Sequence, residues 1–94
     1  MPYMLIRHKV MDYAKWKPIY DQHAATRKAK GSKGAHLFRN TDNPNEVVIL
    51  IEWDKLSNAR SFAQSEDLEK TMQKAGVSNP LDISFLQEIE RTPA

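Results

Sequence analysis

The sequence contains no cysteine among its 94 residues. This absence excludes disulfides, thiol catalysis and thiolate metal ligands, and it is compatible with the reducing cytoplasm, where we expect the protein to lie. The longest apolar run, Val47–Ile51, is far shorter than the roughly 20 residues of a membrane span. A charge as early as Arg7 argues against a signal peptide. No membrane partner is therefore expected.

Glycine is also scarce, with three residues in the chain. No glycine-rich phosphate loop, GxSxG elbow or dinucleotide-binding fingerprint occurs, so nucleotide-binding and hydrolase functions have no support. The net charge of +2 is too small to indicate a polyanionic partner. With 40% hydrophobic and 28% charged residues, the composition predicts one globular domain, residues 1–94.

Four segments are rich in β-forming residues, and the first, second and third are bounded by turn or capping residues. They are Tyr3–Val10, Ala35–Asn40, Glu46–Asp54 and Leu81–Glu90. The turn formers of Thr41–Asn45 join the second and third into an antiparallel hairpin. In the last strand, Ile83, Phe85 and Ile89 are predicted to share one face.

The apolar run Val47–Ile51 predicts a strand that is buried on both faces. Helices of the same subunit can cover one face of a four-stranded sheet. The other face needs a second layer, which a second copy of the chain would supply. The sequence therefore predicts a homodimer.

Two helical segments separate the strands. The first is Asp12–Gly31, with Asp12 as its N-cap and Gly31 as its C-terminal cap. Pro18 predicts that regular helix begins near Lys17 or kinks at the proline. The second, Leu56–Ala75, is broken by a new cap at Ser65. It ends at Gly76, before a turn at Ser78-Asn79-Pro80.

The resulting order is β-α-β-β-α-β, a ferredoxin-like α+β sandwich with helices on one face of an antiparallel sheet. RNA-recognition domains share this order. Their aromatic motif is not reproduced at Lys33–Phe38, and the central strand is aliphatic. No nucleic-acid partner is therefore expected.

The first helix carries a stripe of Trp16, Tyr20, His23 and Arg27, at spacings of four, three and four. One interpretation is that the two aromatic residues are core and the other two lie at the helix edge. The other is that the stripe faces a pocket in which His23 transfers protons and the aromatic rings contact a planar ligand. The spacing alone leaves both open.

The remaining candidates are His8 and His36 on strands and Trp53 at the sheet rim. Each histidine is also typical of a satisfied buried side chain, and Trp53 of packing. No HxH, HxxxH or HExxH spacing occurs, so no metal site is predicted.

Several short motifs along the chain together resemble the dimeric α+β barrel superfamily. They are Asp12-Tyr13-x-x-Trp16-Lys17-Pro18, Tyr20-Asp21-x-His23, Gly31-Ser32-Lys33-Gly34, Phe38-Arg39-Asn40, Asp42-x-Pro44-Asn45-Glu46-Val47 and Glu52-Trp53-Asp54. Within it, the chain is most similar to small antibiotic biosynthesis monooxygenase-like or cyclase-like proteins. The resemblance implies two ferredoxin-like subunits whose sheets face each other in a barrel.

That superfamily includes cofactor-independent quinone-forming monooxygenases, haem-degrading enzymes, polyketide cyclases and lactone isomerases. The haem-degrading members use Asn, Trp and His, and the first strand here offers no Asn. For the monooxygenase branch, Trp16, Tyr20, His23 and Arg39 supply the relevant residue types. The resemblance thus implies a monooxygenase-like enzyme that acts on a small planar or aromatic molecule without a cofactor. The alternative is a non-catalytic homodimeric binding or structural module.

The candidate site is assembled from these observations. His23 is the predicted catalytic residue. The predicted substrate-binding residues are Trp16, Tyr20, Arg27, His8, His36, Arg39 and Trp53.

Overall fold

The computed structural model describes residues 2–74, 76 and 82–93. Along the chain, each predicted helical segment is divided into two helices. The elements are β1 (Pro2–Lys9), α1 (Tyr13–Gln22), α2 (Ala24–Ala29), β2 (Ser32–Arg39), β3 (Glu46–Trp53), α3 (Leu56–Ala63), α4 (Glu66–Lys74) and β4 (Asp82–Gln87). None of the described helices is long and apolar enough to cross a membrane.

The four strands form one antiparallel sheet in the order β2-β3-β1-β4. Alternation in β1 buries Met4, Ile6 and His8, and Val10 continues the same face just beyond the strand. The helices cover this face, as the predicted ferredoxin-like α+β fold requires. The sequence prediction of the fold class is confirmed.

The central strand β3 is fully buried on one face only. Val47, Ile49, Ile51 and Trp53 are each no more than 4% exposed. The intervening residues, including Leu50, are half-buried. A single subunit thus leaves the second face of β3 partly open to solvent. That this face is buried in a homodimer remains a prediction.

The start of the first helix follows the predicted cap, because Asp12 Oδ1 accepts a hydrogen bond from the backbone N–H of Ala14 at 2.9 Å. The expectation of a start near Lys17 is wrong. Pro18 lies inside α1, and the interruption falls at His23 instead. Pro18 has no N–H, so the Ala14 carbonyl oxygen receives no hydrogen bond from within the helix. Both residues are exposed, so water can donate that hydrogen bond.

At the end of α2, Gly31 has φ +117°, a conformation that favours glycine. This confirms the predicted cap. Strand β2 begins at Ser32, three residues before the predicted Ala35, and ends at Arg39 rather than Asn40. A β-bulge between Ser32 and Gly34 lets the glycine-containing segment join the sheet, which strand propensity alone did not indicate.

The second helical segment breaks where predicted. The Ser65 hydroxyl accepts a hydrogen bond from the Leu68 N–H at 3.1 Å, as a cap does. Strand β4 ends at Gln87, so the prediction that it extends to Glu90 is wrong. Its pairing with the neighbouring strand β1 ends at Pro2. Ile89 lies beyond the strand and is 86% exposed. The predicted Ser78-Asn79-Pro80 turn lies outside the described residues.

Candidate functional site

A small cavity lies between the α1–α2 segment, the covered face of the sheet and α4. Its volume is about 40 Å³. The lining residues are His8, Trp16, Ile19, Tyr20, His23, Arg27, Ile49, Thr71 and Met72. All four residues of the predicted stripe are among them, together with His8 from β1. The structure therefore brings five of the eight predicted site residues to one place.

The aromatic residues of the stripe form a stack along α1. The rings of Trp16 and Tyr20 are 5.0 Å apart and nearly parallel, at 19°. The guanidinium of Arg27 lies 4.1 Å from the centre of the Tyr20 ring, and the His8 ring lies 5.6 Å from that of Trp16. The Tyr20 ring thus lies between the Trp16 ring and the Arg27 guanidinium. The three residues can meet because their spacing in the sequence places them on one side of the helical segment.

His8 and Trp53 are the predicted site residues whose buried nitrogens lack partners among the described residues, and of the two only His8 lines the cavity. His8 is 4% exposed, and neither ring nitrogen has a hydrogen-bond partner among the described residues. Burial lowers its pKa from 6.5 to about 4, because a buried imidazolium loses its hydration. At neutral pH His8 is therefore uncharged, with one N–H donor and one acceptor nitrogen at the cavity.

His23 has a carboxylate partner. Its Nε2 lies 2.9 Å from Asp67 Oδ2 at the start of α4, and its ring packs against Phe62 at 5.7 Å. A carboxylate beside an imidazole fixes the orientation of the ring. The pair therefore places an oriented imidazole at the wall of the cavity.

Arg27 is only 8% exposed although its guanidinium group carries a charge. Its Nη1 donates a hydrogen bond to the Tyr20 carbonyl oxygen at 3.0 Å. Burial lowers the pKa of the Arg27 guanidinium, and the nearby Tyr20 and Asp21 oppose this shift. Among the described residues, no carboxylate forms an ion pair with Arg27.

Three predicted site residues lie elsewhere in the single chain. Arg39 is exposed and rests on the Tyr13 ring, at 4.5 Å from its centre. His36 is exposed on the opposite face of the sheet and stacks on Phe38 at 6.4 Å. Trp53 is fully buried beside Phe62, with rings 5.1 Å apart, and does not line the cavity. The strand register places His36 and His8 on opposite faces of the sheet, because His8 pairs with Val47 and His36 pairs with Leu50.

Sequence reasoning missed the contribution of α4. Thr71 and Met72 line the cavity, and Asp67 pairs with His23. An acidic residue is common in the first turn of a helix, and this accounts for Asp67 in the sequence. Nothing in the sequence indicated that Asp67 contacts His23, which is 44 residues away. No group of three or more His, Asp or Glu residues that could hold a metal ion occurs within the described part of the chain.

The fold and this cavity define a class of ferredoxin-like α+β proteins with an aromatic cavity between helices and sheet. Residues 14–74 match the antibiotic biosynthesis monooxygenase family. The match spans more than half of the chain, and the chain belongs to this family. The resemblance predicted from the motifs is confirmed. A comparison with curated protein sequences finds no match.

Solved structures show the same fold across nearly the whole chain. SnoaB, a cofactor-independent oxygenase from Streptomyces nogalater, has a TM-score of 0.81 at 16% identity, with 99% of this chain and 97% of SnoaB covered. Rv0793 from Mycobacterium tuberculosis has a TM-score of 0.69 at 13% identity, with 99% and 100% covered. At these identities the likeness establishes the fold.

Proposed function

We propose that this protein is a cofactor-independent, monooxygenase-like enzyme that acts on a small planar or aromatic molecule at the cavity beneath α1 and α2. The observation that carries the proposal is the meeting of a Trp16–Tyr20 stack with two imidazoles, His8 and His23, at one cavity. Membership of the antibiotic biosynthesis monooxygenase family supports it, as does the fold shared with a cofactor-independent oxygenase.

In the proposed reaction, His23 accepts a proton from an acidic hydroxyl or ring CH of the substrate. Asp67, 2.9 Å away, stabilises the imidazolium that forms. The deprotonated substrate is electron-rich and is oxidised by dioxygen: one oxygen atom enters at a ring carbon to give a quinone, and the other leaves as water with the ring hydrogen and the hydroxyl hydrogen of the substrate. The rings of Trp16 and Tyr20 hold the planar substrate, and neutral His8 offers a hydrogen bond to it.

The size of the cavity sets a condition on this proposal. Its volume of about 40 Å³ accommodates only a few water molecules, and ligand pockets are commonly about 300–1,000 Å³. Substrate binding therefore requires a side chain to move. Tyr20 is the candidate, because it also lines a larger groove of about 560 Å³ on the protein surface.

The experiment is to incubate the purified protein with hydroquinone-type substrates under oxygen and to follow oxygen consumption. We expect wild type to consume oxygen and His23→Ala to do so about 100-fold more slowly, the usual scale of a lost proton-transfer group. Lys15→Ala is the control, because Lys15 is exposed on the same helix and does not line the cavity. Equal rates for wild type and His23→Ala would remove His23 from the mechanism.

The second candidate function is a non-catalytic homodimeric module that binds a small molecule or has a structural role. The small volume of the cavity, about 40 Å³, favours it, because the predicted site residues themselves fill the space. This function predicts no oxygen consumption with any hydroquinone-type substrate. It also predicts that Tyr20→Ala, which enlarges the cavity, creates binding of a planar ligand that the wild type lacks.

We further propose that the protein is a cytoplasmic homodimer whose open sheet faces pack together. Support comes from the face opposite the helices, where Leu5, Val48 and Leu50 are half-buried and Phe38 is 53% exposed in a single chain. Apolar surface of this kind is stabilised by a second layer. Light scattering at micromolar concentration should give twice the chain mass of 10.8 kDa, and a mass near 10.8 kDa would contradict the dimer.

A further inference from the structure

A surface groove of about 560 Å³ lies between α2 and the first residues of β2. Two of its lining residues, Tyr20 and Arg27, also line the inner cavity. These two side chains are thus the wall between the groove and the cavity. A ligand in the groove that displaces the Tyr20 ring would reach His8 without crossing the core.

The groove carries charge of one sign. Arg27, Lys28 and Lys33 line it, and its lining contains no carboxylate. Lys33 occupies the bulge between Ser32 and Gly34, so it has no partner in the pairing of β2 with β3. Both lysines are exposed and can reach a bound anion.

Arg27 provides a fixed charge at the wall of the groove. Of the five N–H donors of a guanidinium, it uses one in a hydrogen bond to a described residue, the Tyr20 carbonyl oxygen. A buried charge is unfavourable unless a counter-charge accompanies it, and the described residues supply no carboxylate partner. A carboxylate can accept two parallel hydrogen bonds from such a group.

His8 is an independent indication of a ligand on the inner side of the same wall. It is more than nine-tenths buried, it lines the cavity, and both ring nitrogens lack partners among the described residues. Buried polar atoms of native proteins nearly always have a hydrogen-bond partner. A bound molecule or water in the cavity would supply it.

We infer that the groove is a binding site for an aromatic carboxylate, whose carboxylate pairs with Arg27 and the two lysines while its ring packs at Tyr20 and extends toward His8. This inference rests on the proposed function and names the chemical class of its ligand. The carboxylate forms the direct ion pair that Arg27 lacks among the described residues. Trp16 and Arg27 cover the two faces of the Tyr20 ring in the structure, so the ligand ring contacts Tyr20 after that side chain has moved.

The test is calorimetric titration with benzoate, its uncharged analogue benzamide, and acetate. We expect benzoate to bind about tenfold or more tightly than either of the others, because only benzoate offers both the charge and the ring. Arg27→Gln should weaken benzoate binding by about tenfold or more, with little change for benzamide. Lys15→Gln, an exposed lysine outside the groove, is the charge-matched control.

A second variant keeps the test decisive if Arg27→Gln does not fold. The double variant Lys28→Gln/Lys33→Gln changes only exposed side chains and should weaken benzoate binding about threefold or more, with a reduced dependence on salt. Failure of benzoate to bind, equal binding of benzoate and benzamide, or benzoate binding unchanged in the folded variants would each overturn the inference. Benzoate binding is measured without turnover, so it can succeed while oxygen consumption fails, and the two proposals are judged separately.

Discussion

His23 Nε2 lies 2.9 Å from Asp67 Oδ2, which joins the end of α1 to the first turn of α4. The two residues differ sharply in burial: the His23 side chain is 10% exposed and the Asp67 side chain is 61% exposed. The pair therefore places a nearly buried imidazole at the cavity and its charge partner in water. Because Asp67 is exposed, we expect its replacement to change the free energy of unfolding little, even if the proposed reaction rate depends on it.

Replacing Asp67 by asparagine tests that expectation. Asp67→Asn keeps the shape and a hydrogen-bond acceptor but removes the charge that stabilises the imidazolium. We expect the free energy of unfolding to change by about 1 kcal/mol or less, as for other exposed pairs, while oxygen consumption falls about tenfold or more. Glu66→Gln, an adjacent exposed acid of the same helical turn, is the control and should leave the rate unchanged. Equal rates for both variants would mean that the pair is only structural.

The buried His8 predicts a specific dependence of stability on pH. Its pKa is lowered from 6.5 to about 4 in the folded protein by burial. Between these values the unfolded chain binds a proton that the folded chain does not, so the free energy of unfolding falls as the pH is lowered through this window. The full shift corresponds to a loss on the order of 3 kcal/mol.

Urea unfolding at a series of pH values from 7 to 4 measures this effect. In His8→Phe, which keeps an aromatic ring beside Trp16, the component due to His8 should disappear. An identical pH dependence in wild type and His8→Phe would show that burial of His8 does not control acid stability.

Two glycines of the same segment allow steric and backbone effects to be distinguished. A Cβ at Gly31 would lie 2.5 Å from Asp54 Oδ1, whereas a Cβ at Gly34 would meet no atom within 4 Å. Both have positive φ, +117° and +145°. We expect Gly34→Ala to destabilise the protein by about 1 kcal/mol and Gly31→Ala by about 2 kcal/mol, because the Asp54 carboxylate must move away from its bonds to Lys55 and Asn58. Thermal or urea unfolding measures both, and equal losses would contradict a role for the contact with Asp54.

The open sheet face predicts how the proposed dimer can be broken. Leu50 lies in the central strand on this face, opposite Leu5 of β1 and His36 of β2. Leu50→Lys should shift light scattering to the monomer mass, because an ammonium group cannot be buried between two apolar sheets without a partner. Gln22→Lys, on the exposed end of α1, adds the same charge elsewhere and should remain dimeric. A dimer that survives Leu50→Lys must use another surface.

Much of the fold could be predicted from local patterns. The capping residues Asp12, Gly31 and Ser65 indicated where helices begin and end, and the apolar run Val47–Ile51 identified β3. The misplaced boundaries have physical causes that single-sequence patterns do not record. Strand β2 begins early because a bulge brings Ser32 into the sheet. Strand β4 ends early, at Gln87, because its pairing with β1 ends at Pro2.

The candidate site was likewise predictable from the sequence only in part. Helical spacing by itself determined that Trp16, Tyr20, His23 and Arg27 share one face, since this depends only on 3.6 residues per turn. Tertiary packing alone decided that His8 joins them, that Asp67 partners His23 and that His36 lies across the sheet. These contacts link segments that are distant in the chain, and their geometry follows from how helices pack on a sheet.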